Sequence, residues 1–147
     1  MLVIHQIFCV LGALAVPLLA APTAPAPVDL VATLRASRWQ HRLLLLGAPT
    51  VGQADLQAQK ELLAAAATGL VARDFRVLEV PYDQLTAADR QCWTQQLGQP
   101  LAGFRVVLIG KDGGVKRASA QPLPPADLFN LVDKMPMRRQ EMRGKKE

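Results

Sequence analysis

Few side chains in this sequence are of types that do chemistry. Cys92 lies in a stretch that reads as helix: Thr86, with Asp89 three residues on, has the spacing of an N-terminal cap, and Gly98 closes the stretch behind Trp93 and Leu97. A thiol past the first turn feels little of the helix dipole, and Asp89 on the same face opposes a thiolate. Cys92 therefore reads as a quiet, partly buried cysteine rather than a nucleophile. Two rival readings give it an intermolecular disulfide or a catalytic role. His41 is the one histidine beyond the N-terminal run, and a single histidine with no free cysteine partner does not make a zinc site. Asp74, Asp83 and Asp89 suit caps and turns. The sequence therefore points to no metal, no cofactor and no catalytic constellation, and leans away from an enzyme.

The most distinctive polar run is Lys111-Asp112-Gly113-Gly114. It lacks the spacing of a phosphate-binding loop and opens no helix, so it reads as a turn in which Gly113 takes φ > 0. Gly110, Asp112, Gly113, Gly114 and, further on, Pro136 are the structural part of the pattern. Lys111 and Lys116 form an anion- or partner-binding edge if Arg138 and Arg139 pack beside them. The net charge of +5 is concentrated at the C-terminal end, where Lys134, Arg138, Arg139, Arg143, Lys145 and Lys146 face Glu141 and Glu147. Such a tail reads first as a solvated, fraying basic helix end, and second as an electrostatic hold on lipid, polysaccharide or nucleic acid. The basic balance is thus a property of the tail and gives no specific nucleic-acid face.

These residues need elements to position them. Val106 to Gly110 is a continuous apolar run, followed by the Asp-Gly turn and a second strand-like piece at Val115-Lys116, which together predict a hairpin whose first strand is buried on both faces. Leu43 to Leu46, stopped by Gly47-Ala48-Pro49, predicts a central strand, and Phe75 to Val80 another. Helices are predicted over Val28–Ser37, over Asp55–Thr68 with Gly69 as its C-terminal cap, over the Thr86 stretch, and from Pro124-Pro125 through Met135, where Pro136 kinks or ends it. Strand, helix, strand, helix, strand, strand, helix is the minimal thioredoxin-like arrangement, βαβ–α–ββα: a mixed four-stranded sheet with helices on both faces.

The N-terminus has its own character. An apolar run from Ile7 to Ala21, followed by a Pro/Ala segment, resembles a secretory signal and is short for a spanning helix, which needs about 20 residues. The expected organisation is a signal peptide over 1–21, a linker and short helix over 22–37, the domain over 38–142 and a basic tail over 143–147. Localisation would be secreted or periplasmic, with membrane contact only if the N-terminus stays uncleaved. Removal of the leader leaves Cys92 as the sole thiol and excludes an internal disulfide.

Arg42 with its apolar strand, Arg73-Asp74, the run Ile109 to Lys116 and Met135-Pro136-Met137-Arg138-Arg139 together resemble one family. It is the bacterial thioredoxin-like domain of unknown function that also occurs in animal sushi-repeat-containing and coiled-coil-domain-containing matrix proteins. The resemblance covers about Arg38 to Met142 and implies a thioredoxin-like fold outside the cytoplasm, with no particular activity. Thioredoxin-like enzymes hold the reactive cysteine between the first strand and its helix, where this chain has Gly47 to Gln53 with no cysteine. They place a cis-proline before the third strand, where this chain reads Gly103-Phe104-Arg105. The functional expectation is an exported, single-domain, non-redox binding module, its partner a protein or a polyanionic envelope component. The alternatives are an oxidoreductase-like enzyme using Cys92 or a partner's thiol, and an envelope polyanion binder acting through the tail.

Overall fold

The computed structural model describes residues 28–145. The expected signal peptide, residues 22–27 of the linker and residues 146–147 lie outside the described residues. Everything packs around β1 (Arg42–Ala48), which is buried at every position. Alternate residues of a strand point to opposite faces, and the leucine run serves both. Leu44, Leu46 and Ala48 join one core cluster, while Leu43 and Leu45 join the other. β2 (Phe75–Pro81) runs parallel to β1 on one side, β3 (Arg105–Ile109) antiparallel on the other, and β4 (Val115–Ser119) antiparallel beyond β3. The strand order β2-β1-β3-β4 is that of the minimal thioredoxin-like α/β fold.

Helices cover both faces. α2 (Ala54–Ala64), α3 (Ala67–Val71) and α5 (Pro125–Asp133) bury Leu56, Leu63, Leu70, Leu128 and Val132 in the first cluster. α1 (Leu30–Ser37), with Leu30, and α4 (Ala87–Gln91), continued by the turn that carries Cys92, Trp93 and Leu97, cover the second. α1 thus packs as part of the folded unit, since Leu30 is fully buried. The Thr86 cap forms as expected, its hydroxyl accepting from Asp89 N–H at 3.1 Å. Behind α4 the helix widens into a π turn over Cys92–Gln96, with Leu97 N–H reaching Cys92 O at 2.9 Å. α6 (Pro136–Gly144) follows the elbow at Pro136, which sits at the first helical position, where its missing N–H costs nothing.

One predicted helix is divided. The Asp55–Thr68 stretch closes at Ala65 and restarts at Ala67, so Gly69 lies inside α3 and is not a cap. The reason is tertiary: a Cβ at Gly69 would meet the Phe129 ring at 2.5 Å, so the helix carrying Gly69 is placed by packing against α5. The hairpin turn behaves as predicted, with Gly113 at φ +85.

Candidate functional site

The first residue of β1 is an arginine, and in a central strand it has no route to solvent. Arg42 is 1% exposed. A buried cation needs an ionised partner and acceptors for its remaining donors. Glu141, 99 residues on in α6, supplies the carboxylate: Arg42 Nη2 donates to Oε1 at 3.1 Å and Nη1 to Oε2 at 3.3 Å. Nη1 also donates to Arg73 O at 2.9 Å. This fork-on-carboxylate geometry suits arginine and would not be met by lysine.

Glu141 then collects two more cations. Lys111, just past the end of β3, reaches its Oε1 at 2.7 Å and Asp74 Oδ2 at 2.8 Å. Arg138, one helical turn back in α6, donates to Glu141 Oε2 at 3.4 Å and to Asp133 Oδ1 at 3.2 Å. Asp133 is forked by Arg73, whose guanidinium lies 4.2 Å over the Phe129 ring. Strand starts, the β3–β4 turn and the α5–α6 elbow are thereby tied into one network. The backbone brings the parts close: Trp39 N–H donates to Lys111 O at 2.6 Å and Arg42 N–H to Asp74 O at 2.9 Å, with Asp74 in the left-handed region that aspartate tolerates. Burial alone would raise the Glu141 carboxyl, but hydrogen bonds from Lys111 and Arg42 outweigh it and hold the group at about 2. The Asp133 carboxyl is lowered, chiefly by the hydrogen bond from Arg73, against the opposing effect of burial. For Lys111, burial opposes the charge, yet the hydrogen bonds to Asp74 and Glu141 prevail and raise it.

Beside this network lies a cleft of about 520 Å³, lined on one side by Gly110, Lys111, Asp112 and Lys116 and on the other by Leu131, Met135, Pro136 and Met137, with Arg42 and Lys134 completing the lining. The residues singled out in sequence thus divide. Lys111 and Arg138 come together through Glu141, but both are committed ion-pair members rather than open cations, with side chains 9% exposed. Lys116 borders the cleft and is paired with Asp112 at 2.7 Å. Arg139 is exposed and joins no ion pair among the described residues, so it does not belong to the group. The expectation of a solvated basic tail is corrected for Arg138 and Glu141, because the buried Arg42 pulls that turn of α6 onto the sheet. Arg42 and Glu141 were not among the expected site residues, though each carried a signal: a charge opening a fully apolar strand, and the one acid of an otherwise basic helix.

Cys92 stands elsewhere, in the second core cluster, with its thiol donating to Gln96 Oε1 at 3.3 Å. Burial first, and then Asp89, push that thiol up. At the far end of β1, where Gly47 to Gln53 hold no thiol, the space over Gly47 is filled by Trp93 and Tyr82. Among the described residues no group of three histidine, cysteine or carboxylate side chains is placed to hold a metal ion, and no helix is long and apolar enough to cross a membrane.

Fold and site together define a mixed α/β domain of minimal thioredoxin-like topology whose polar network lies at the opposite end of the central strand from that filled junction. The family described as Domain of unknown function (DUF4174) matches residues 33–141, a span that takes in every member of the network, and the chain belongs to that family. It is also similar to Coiled-coil domain-containing protein 80 of Danio rerio, at 27% identity over 71% of this chain, and it spans 15% of that relative's length. No solved structure matches the chain.

Proposed function

We propose that this chain is an exported binding module that works without thiol chemistry, with the cleft between the β3–β4 turn and the α5–α6 elbow as its recognition surface. The observation that carries the non-redox part is the state of Cys92. It is 6% exposed, its thiol is engaged by Gln96, and burial and Asp89 both oppose ionisation, whereas exchange needs an accessible thiolate. The recognition part rests on the cleft, whose volume falls within the range of about 300–1,000 Å³ usual for ligand sites and which sets an apolar wall of Leu131, Met135, Pro136 and Met137 against a charged one of Lys111, Asp112 and Lys116. Export is supported by the apolar Ile7–Ala21 run, and the intact mass of protein recovered outside the cytoplasm should lack roughly the first 20 residues.

The test is chemical. Native protein should show no insulin-reductase or peroxidase activity above background, and iodoacetamide should label Cys92 slowly near neutral pH until the chain is unfolded. Rapid labelling of the native protein, with turnover abolished by Cys92→Ser, would replace this reading with an enzymatic one.

A further inference from the structure

The β3–β4 turn has two sides. One borders the cleft already described, and the other faces α1 across a second cleft of about 460 Å³ that Asp112 also lines. Val31 and Leu34 of α1 give this second cleft aliphatic surface. Arg35 of the same helix and Arg38 just behind it bring two guanidinium groups.

The charges there do not balance. Among the described residues that line it, Asp112 is the one carboxylate, and its oxygens are taken by Lys116 at 2.7 Å and by Gly114 N–H at 3.1 Å. Arg35 and Arg38 are exposed, and neither joins an ion pair among the described residues. Residues 1–27 contain no aspartate or glutamate to neutralise them. Arg38 is nonetheless held in place. Its side chain crosses the turn where Gly113 has none, with Nε 3.7 Å and Cγ 3.9 Å from where a Cβ would stand. Its guanidinium lies 5.4 Å from the centre of the Trp39 ring. Trp39 is 60% exposed and sits at φ +67, a region that bulky side chains rarely occupy, with its N–H donating to Lys111 O. An arginine packed between a turn and an indole has given up rotamer freedom before any ligand arrives, which lowers the cost of binding.

We propose that this second cleft is a docking site for an acidic peptide segment of a partner protein, with carboxylates on Arg35 and Arg38 and an aliphatic side chain against Val31 and Leu34. Guanidinium groups hold carboxylates through paired, charge-assisted hydrogen bonds. A sulfated polysaccharide would meet the two cations equally well but brings no aliphatic group to the floor.

Titration of the ¹⁵N-labelled protein with a blocked hexapeptide of alternating glutamate and leucine tests this, beside its glutamine–leucine and glutamate–glycine counterparts and a heparin hexasaccharide. The glutamate–leucine peptide should saturate and move the Gly113 and Gly114 amide and Trp39 indole signals. The glutamine–leucine peptide should bind roughly tenfold or more weakly, the size of one charge-assisted hydrogen bond, and the glutamate–glycine peptide should also be weaker. Arg35→Gln and Arg38→Gln, at exposed positions, should leave the melting temperature nearly unchanged and each weaken only the glutamate peptides. Equal binding of the glutamate–leucine and glutamine–leucine peptides, or binding undiminished by both substitutions, would overturn the arginine anchor. Equal binding with glycine in place of leucine would overturn the aliphatic floor. Movement of these signals by the hexasaccharide and not by the peptide would overturn the peptide partner. Silence toward all four probes would remove the second cleft as a site and leave the readings of the first cleft and of Cys92 standing.

Discussion

The two ends of β1 are five residues apart in register and opposite in character. At the Gly47 end, space is filled: a Cβ there would meet the Trp93 ring at 2.5 Å and the Tyr82 hydroxyl at 2.6 Å, and burial pushes that hydroxyl up to about 12, with Arg105 opposing. Trp93 is fully buried and spends its one donor on Pro100 O at 3.0 Å. At the Arg42 end, charge is concentrated: Arg42, Arg73, Lys111 and Arg138 enclose Asp74, Asp133 and Glu141, with a cleft alongside. A thioredoxin-like enzyme works at the first of these ends. Here that end is packed like a core, with Tyr82 Oη and Arg105 Nε buried there without partners, and the ion-pair network stands at the other, past the carboxyl end of β3. The same sheet can carry a site at either end of its central strand, because the sheet fixes only the scaffold.

The comparison breaks most visibly if the Arg42 end is cut away. Truncation after Lys134 removes α6 and with it Glu141 and Arg138, leaving Arg42 buried without its carboxylate. A loss on the order of 3–5 kcal/mol is expected in urea titration, the usual cost of stripping one partner from a buried pair. Removal of residues 143–147 takes away only exposed positions of α6 together with residues 146–147, and should leave the melting temperature nearly unchanged. Similar losses from both truncations would mean that the tail acts as a whole and not through Glu141.

Acid sharpens the same point. A carboxyl held at about 2 in the folded chain and near its ordinary 4.5 in the unfolded one contributes stability that is fully present above that ordinary value and is lost as pH falls toward 2. Asp133 and Asp112 are lowered in the same direction, Asp112 mainly by the hydrogen bond from Lys116. Glu141→Gln should therefore cost about 2 kcal/mol at neutral pH and flatten the stability–pH slope between about pH 5 and 2, leaving the part due to the two aspartates. An unchanged slope would show that Glu141 is not ionised against Arg42 and Lys111.

At the filled end, Gly47→Ala should cost about 1–3 kcal/mol by overpacking against Trp93, with the acid slope untouched. A neutral effect would mean that the Trp93 side of the junction is loose enough to admit a site. Smallest of these is the effect at the turn: a Cβ at Gly113 has ordinary space, its nearest neighbour being Arg38 Nε at 3.7 Å, so the cost of Gly113→Val is backbone strain at φ +85. It should be about 1–2 kcal/mol, and Gly113→Asn should cost much less because asparagine tolerates that region. Equal losses from both would place the positive φ elsewhere.

The fold was legible because its signals are local and agree with one another. The leucine run, the Asp-Gly turn, the Thr86–Asp89 cap and the Pro-Pro start of α5 each specify an element by themselves, and their order leaves few topologies. The division of the Asp55–Thr68 helix was not legible, because an alanine-rich stretch favours helix throughout and the break is set by Phe129 from α5, 60 residues on in sequence from Gly69. The site was half legible. Lys111, Lys116 and Arg138 stand out by type, but charge type alone gives no partner, and Arg42 meets Glu141 across 99 residues. What could be read was the anomaly of each: an arginine where an apolar strand begins and an acid where a basic helix ends.

The account turns on the Arg42 end being one coupled unit rather than a collection of surface pairs, and a double-mutant cycle of Arg42→Leu and Glu141→Leu measured by urea unfolding tests it most directly. If the two residues hold each other in a buried pair, Glu141→Leu strands the Arg42 charge while Arg42→Leu leaves Glu141 only Lys111 and Arg138, and the double variant should be more stable than the sum of the single losses implies by more than about 1.5 kcal/mol. Losses that add to within about 0.5 kcal/mol would contradict it, and would return Glu141 to the solvated face of a basic helix.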